Sequence, residues 1–216
     1  MKTGGARGRG GDGLYRHWIK PKNERTETLA PRDLAGRSLR EQVEELTAVT
    51  GHARFRRPVW HLWVSPNPGD REPTAAEIDD LWHRLEREFH LEDQPYAGVR
   101  HTLQRDGLHH PDWSADTHEH RGYSLADETG RMVDALKHER IRRQRICLEW
   151  EYDHGFALTP VKHMRAVLRW LDRHRPDVLA AMRAAGYDKD APTRIAEVQP
   201  DARQRAERAN FETRDL

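Results

Sequence analysis

One cysteine, Cys147, stands in 216 residues. An internal disulfide and a Cys-rich zinc cluster are therefore both excluded, which fits a reducing, cytoplasmic setting. The chain also lacks the run of about eighteen apolar residues that a membrane helix requires, so no membrane partner is expected. The amino end, MKTGGARGRGGDG, has no apolar stretch of the kind a secretory leader carries. Phenylalanine is scarce, with 4 residues, and apolar residues make up 36% against 34% charged, which predicts a modest core under a heavily charged surface. Neither sign of charge dominates: the formal net charge is +1, short of the strong excess many nucleic-acid-binding domains carry. No internal repeat is visible. What the chain does have is histidine, 14 residues, and tryptophan, 7 residues.

The charge is distributed unevenly. Lys2, Arg7, Arg9, Arg16, Lys20, Lys22 and Arg25 outnumber Asp12 and Glu24 at the amino end, whereas residues 70–93 are acidic. Arg140, Arg142, Arg143 and Arg145 form a second basic cluster, readable as a polyanion contact or as a solvated helix face. Residues 1–13 are Gly/Arg-rich and read as flexible, or ordered only against a partner. The segment LYRHWI at 14–19 is helix or strand. Helical spacing of Leu39, Val43 and Leu46 predicts a helix over 34–49, and VWHLWV at 59–64 predicts a strand closed by SPNPGD. Thr74 and Glu77 form a capping box ahead of the stripe Ile78, Trp82, Leu85 and Phe89. Strands are predicted at 96–101 and 118–126, and helices at about 134–153, 161–173 and 176–185. This order predicts an α+β fold, a central antiparallel sheet covered by helices with a helical carboxy-terminal part. The expected division is 1–155 for the sheet domain and 156–216 for a helical extension and polar tail.

The stretch DTHEHRGYSLADETGRMVD places two histidines one residue apart at the start of a strand. Residues i and i+2 of a strand share a face, so His118 and His120 aim at one point. His101 ends the preceding strand. If the two strands are neighbours, three imidazoles converge with positions left open, the pattern of a catalytic rather than a structural metal site. Chance pairing in a histidine-rich chain is the competing account of the H-x-H. His109 and His110 fit a surface turn before Pro111, or replace His118 as ligands. His61, between Trp60 and Leu62, reads as a satisfied core or groove histidine.

In this order the motifs resemble the HUH-type, MobA-like nuclease domain of plasmid mobilisation relaxases. The likeness runs from GGDGLYRHWIKPKNERTE through VWHLWVSPNPGD and LEREFHLEDQPYAGVRH to DTHEHRGYSLADETGRMVD, with ICLEWEYDHGFALTPVKHMRAVLRWL beyond it. It implies a metal-dependent, site- and strand-specific DNA transesterase that nicks one strand at an origin of transfer and stays attached to the 5′ phosphate. His101, His118 and His120 would ligate a divalent ion, Mg or Mn. The partners implied are single-stranded origin DNA and accessory relaxosome and coupling proteins. Two departures stand out: Glu119 inside the H-x-H with Arg121 and Gly122 after it, where relatives have an apolar strand, and a longer loop than usual before it.

Relaxases commonly attack with a tyrosine near the amino end, and a few use histidine. Tyr15 is the sole tyrosine before residue 96, while the family position falls nearest His17, so both stay open as nucleophile, beside a mere packing role against Trp18. Arg7, Arg9, Arg16, Lys20 and Lys22 would contact DNA, and Trp60 or Trp63, on opposite strand faces, or Trp113 would stack bases. Two other classes fit the same residues: a single-stranded DNA-binding or accessory protein that has the relaxase-like sheet without catalysis, and a metal-dependent hydrolase of small substrates.

Overall fold

A computed structural model describes residues 1–20, 23–67, 70–103 and 117–187. The strands are β1 (Lys2–Gly8), β2 (Asn23–Thr28), β3 (Val59–Ser65), β4 (Tyr96–Leu103) and β5 (Thr117–Ser124). The helices are α1 (Gly11–Trp18), α2 (Leu39–Val49), α3 (Ala75–Phe89), α4 (Glu139–Asp153), α5 (Met164–His174) and α6 (Pro176–Ala184). The strands pair in the order β1-β3-β5-β4-β2, every pair antiparallel. The fold is α+β, as expected.

The three strands legible in the sequence are the three central ones, and neither edge strand is among them. β2, NERTET, is wholly polar and has no buried apolar face to betray it. β1 corrects the expectation of a flexible amino end: Lys2–Gly8 pairs with Ser65–Val59 along its full length. Its glycines have a packing reason. A Cβ on Gly4 would lie 2.3 Å from the Trp63 indole, and one on Gly5 would lie 2.6 Å from that of Trp60. Two tryptophan rings thus lie across opposite faces of the edge strand where side chains would otherwise stand. Trp60 is 1% exposed and cannot swing aside. Gly5→Ala is therefore expected to cost about 1–3 kcal/mol by overpacking, read as a lower urea midpoint at unchanged slope.

Each sheet face carries its own core. On one, Trp60, Leu62, Val64 and Tyr123 meet the α3 stripe Ile78, Trp82, Leu85 and Phe89, with Ile146 and Trp150 of α4. On the other, Leu14 and Trp18 of α1 and Val43 and Leu46 of α2 cover Val59, Ala97 and Val99. Both α2 and α3 open with a capping box, Ser38/Glu41 and Thr74/Glu77, which places the start of α2 later than the apolar spacing alone suggested. Helix α4 begins at Glu139, after a left-handed His138, rather than near residue 134.

The chain divides into two compact units, Met1–Thr159 and Pro160–Leu216. In the second, α5 and α6 pack together, with Val167, Leu171, Val178 and Met182 buried. Among the described residues, no helix is long and apolar enough to cross a membrane.

Candidate metal centre

Strand register assembles the site. β4 and β5 are neighbours, and His101 lies directly opposite His118. Directly paired residues share a face, so His101, His118 and His120 all project toward the α1/α2 side. Their ring centroids lie 5.1 Å (His101–His118), 4.8 Å (His101–His120) and 4.6 Å (His118–His120) apart. One ligand nitrogen from each falls within 4.8 Å of the others.

The trio fits a divalent cation. His101 is 2% exposed and His120 6%, and the buried Nε2 of His120 has no hydrogen-bond partner among the described residues. A buried imidazole nitrogen left so costs stability unless something accepts its lone pair. Burial, reinforced by repulsion from His61, His118 and His101, holds His120 well below the ordinary histidine range. It is therefore neutral, the form that ligates metal.

The neighbours that depart from the family pattern turn out to face away. Glu119, Arg121 and Tyr123 alternate with the histidines and meet α3 on the opposite face. Trp82 Nε1 donates to Glu119 (2.8 Å), and Arg100 Nε does so from β4 (2.9 Å). Glu86 accepts from Arg121 (3.0 Å), Tyr123 (2.7 Å) and Arg32 (2.8 Å). These charges are buried but paired, which is the condition under which a core tolerates them. Gly122 falls on the histidine face, where a Cβ would sit 3.0 Å from Leu14 and 3.2 Å from Trp18. Its bareness lets α1 rest on the sheet beside the imidazoles.

That docking separates the two candidate nucleophiles. Successive helical residues turn by about 100°, so positions 15 and 17 point in nearly opposite directions. His17 faces the cluster, its ring centroid 5.0 Å from His61 and 5.9 Å from His120. Tyr15 instead packs beside α2, with the Arg40 guanidinium 5.7 Å over its ring.

His61, expected to be a satisfied groove histidine, is satisfied, but by the site itself. It lies opposite Gly122 in β3, and its Nε2 is 2.7 Å from His120 Nδ1 and 3.2 Å from Trp18 Nε1. Burial, then the neighbouring His17, His101 and His118, keeps it well below the usual histidine range. Trp63 lies opposite His120 on the same face and is half-buried, whereas Trp60 is core.

The basic residues scatter. Register turns Arg7 to the opposite face, where it lies 3.8 Å from the Met132 sulfur. Arg9 is exposed just before α1. Arg16 is exposed on α1 and ion-paired to Asp12, and Lys20 is half-buried after it. The second basic cluster is largely spent on ion pairs: Arg142 with Glu88 and Asp134, Arg143 with Glu139, and Arg145 with Glu88. The polyanion reading of that cluster has little left to stand on. Lys22, His109, His110 and Trp113 lie outside the described residues.

A family model described as relaxase, MobA/VirD2-like, nuclease domain matches residues 17–156, the span that holds every histidine of the cluster. No curated protein matches the chain, and no solved structure does.

Proposed function

Because the chain belongs to the MobA/VirD2-like relaxase nuclease family, we propose that it nicks one strand at an origin of transfer and becomes joined to the 5′ phosphate through His17. The observation that carries this is the position of His17, 5.9 Å ring to ring from His120 at the edge of the three-imidazole cluster. A divalent cation held by His101, His118 and His120 would supply Lewis-acid polarisation of the scissile phosphate. Three imidazoles are softer donors than the oxygens Mg prefers, which favours Mn of the two expected ions.

The chain's own residues do the rest. His17, in its neutral form, has a ring lone pair, and α1 holds that ring beside the cluster. It forms a P–N bond as the P–O3′ bond breaks. The 3′ oxygen leaves with the bonding pair and takes up a proton, and the ring sheds its remaining N–H proton. Positioning supplies much of the rate, since α1 is clamped to the sheet through Leu14 and Trp18. Trp63, across β3 from His120, offers a face on which an unstacked base can lie.

The test is to incubate the protein and Mn with supercoiled plasmid carrying its own neighbouring DNA. The expected result is a nicked circle with protein covalently attached. Absence of any nicked or protein-linked product across such DNA would overturn the reading. Binding itself should weaken steeply with salt, because phosphates neutralised by Arg16 and Lys20 release counterions. Arg16→Ala with Lys20→Ala should lower the single-strand salt slope by roughly 0.7 for each phosphate that is no longer neutralised. Fluorescence anisotropy at several salt concentrations reads it, and an unchanged slope removes both residues from the interface.

A further inference from the structure

We infer that Trp18 and His61 act as a positioning relay that locks His120 in the tautomer able to bind metal. The inference rests on His101, His118 and His120 being the ligand set, and it adds why the third of them presents the correct nitrogen.

The argument follows the direction of each hydrogen bond. Trp18 Nε1 lies 3.2 Å from His61 Nε2, both groups buried. An indole N–H can only donate, so His61 Nε2 must be the acceptor and carries no proton. The same nitrogen lies 2.7 Å from His120 Nδ1. With no proton on the His61 side, the one shared in that contact belongs to His120 Nδ1. A neutral imidazole holds one N–H, so His120 Nε2 is left with its lone pair. That is the buried nitrogen that no hydrogen bond among the described residues claims. The opposite assignment would set two N–H groups against each other at 3.2 Å in a buried place, leaving His120 Nε2 protonated and closed to a cation. Ring order agrees: His61 and His120 lie nearly parallel, 23° apart with centroids at 4.9 Å, so the contact fixes orientation as well as proton position.

The relay also decides between two possible metal trios. His17, His61 and His120 are close enough to form one, like His101, His118 and His120. His61, however, spends its Nε2 lone pair on two N–H donors, so that nitrogen is no ligand. It belongs behind the metal site, in the place that a carboxylate or backbone carbonyl takes behind many metal-bound histidines. His61 also stands between the ligand and the helix that bears His17. Trp18, one residue on, contributes the donor, so the helix that delivers the attacking ring also sets the proton on the metal ligand.

The experiment uses the full chain without DNA and Mn alone as probe. Nitrogen-15 NMR of the histidine rings should show His120 protonated at Nδ1 in the metal-free wild type. Trp18→Phe keeps an aromatic ring in the core but removes the donor. It should give a mixture of His120 tautomers and about 10–100-fold weaker Mn binding by calorimetry. His61→Leu should weaken binding similarly, whereas His61→Gln, whose amide oxygen accepts, should restore it to within a few-fold. Circular dichroism and melting of each variant without metal separate a folding defect from a loss of positioning. His120 protonated at Nε2 in the wild type, or Trp18→Phe binding Mn as wild type does, overturns the relay. A wild type that takes up no Mn overturns the ligand assignment beneath it, an outcome distinct from loss confined to the variants.

Discussion

Replacing His118 and His120 together by alanine is expected to abolish the melting shift that Mn gives the wild-type protein. Ligand binding stabilises a fold by RT ln(1 + [L]/Kd), about 2.7 kcal/mol at a hundred times Kd. One remaining imidazole, His101, cannot hold a cation at that strength, because a site of this kind needs three protein ligands converging with open positions. The comparison must be the shift rather than the melting point. Removing a ring from His120, 6% exposed, empties core volume and lowers stability without metal too. His83→Ala on the exposed side of α3 serves as control and should retain the full shift. A double variant that still responds to Mn like the wild type would move the site elsewhere, with His109 the next ligand to replace.

The legible parts of the molecule were those where one residue type has one job. H-x-H on a strand is such a signal, because period two fixes a shared face before any neighbour is known. The α3 capping box and stripe are another, since cap, spacing and burial all agree. What stayed hidden depended on strand order, which no local pattern encodes. His61 enters the site because β3 lies beside β5, with His61 opposite Gly122. From the sequence, β3 had no assigned neighbour, and an apolar strand with a histidine inside it reads as core. The edge strands were hidden for a different reason. β1 gives up side chains so that Trp60 and Trp63 can lie across it, and a glycine-rich stretch without apolar alternation carries the same composition as a linker. The charged residues after the first histidine were the reverse case. In the sequence Glu119 and Arg121 stand out as departures from the family pattern, yet alternation sends them to α3, where Trp82 and Glu86 receive them.

The covalent bond is the second large effect. We expect the protein–DNA adduct to be a phosphoramidate on His17, lost in mild acid and stable in alkali, instead of an acid-stable tyrosyl phosphodiester. The reason is the turn of α1. His17 points at the imidazole cluster, 5.9 Å from His120 ring to ring, while Tyr15 is held under Arg40 against α2. Bringing the Tyr15 phenol to the same place would require α1 to rotate by about half a turn, which would pull Leu14 and Trp18, 4% and 0% exposed, out of the core. The imidazole also needs no base to generate its nucleophile, since a neutral ring nitrogen already carries a lone pair, whereas a phenol must first lose its proton. His17→Ala should therefore abolish adduct formation, a loss that for an enzyme stripped of its nucleophile can reach the order of 10⁶-fold. Tyr15→Phe, which keeps the ring and its packing, should form adduct within a few-fold of the wild-type rate. The measurement is single-turnover adduct formation on an end-labelled origin strand, with the trapped product split between acid and alkali. An acid-stable adduct that disappears in Tyr15→Phe would mean that α1 does rotate on binding DNA. Wild-type rates in both single variants would place the nucleophile elsewhere in the chain.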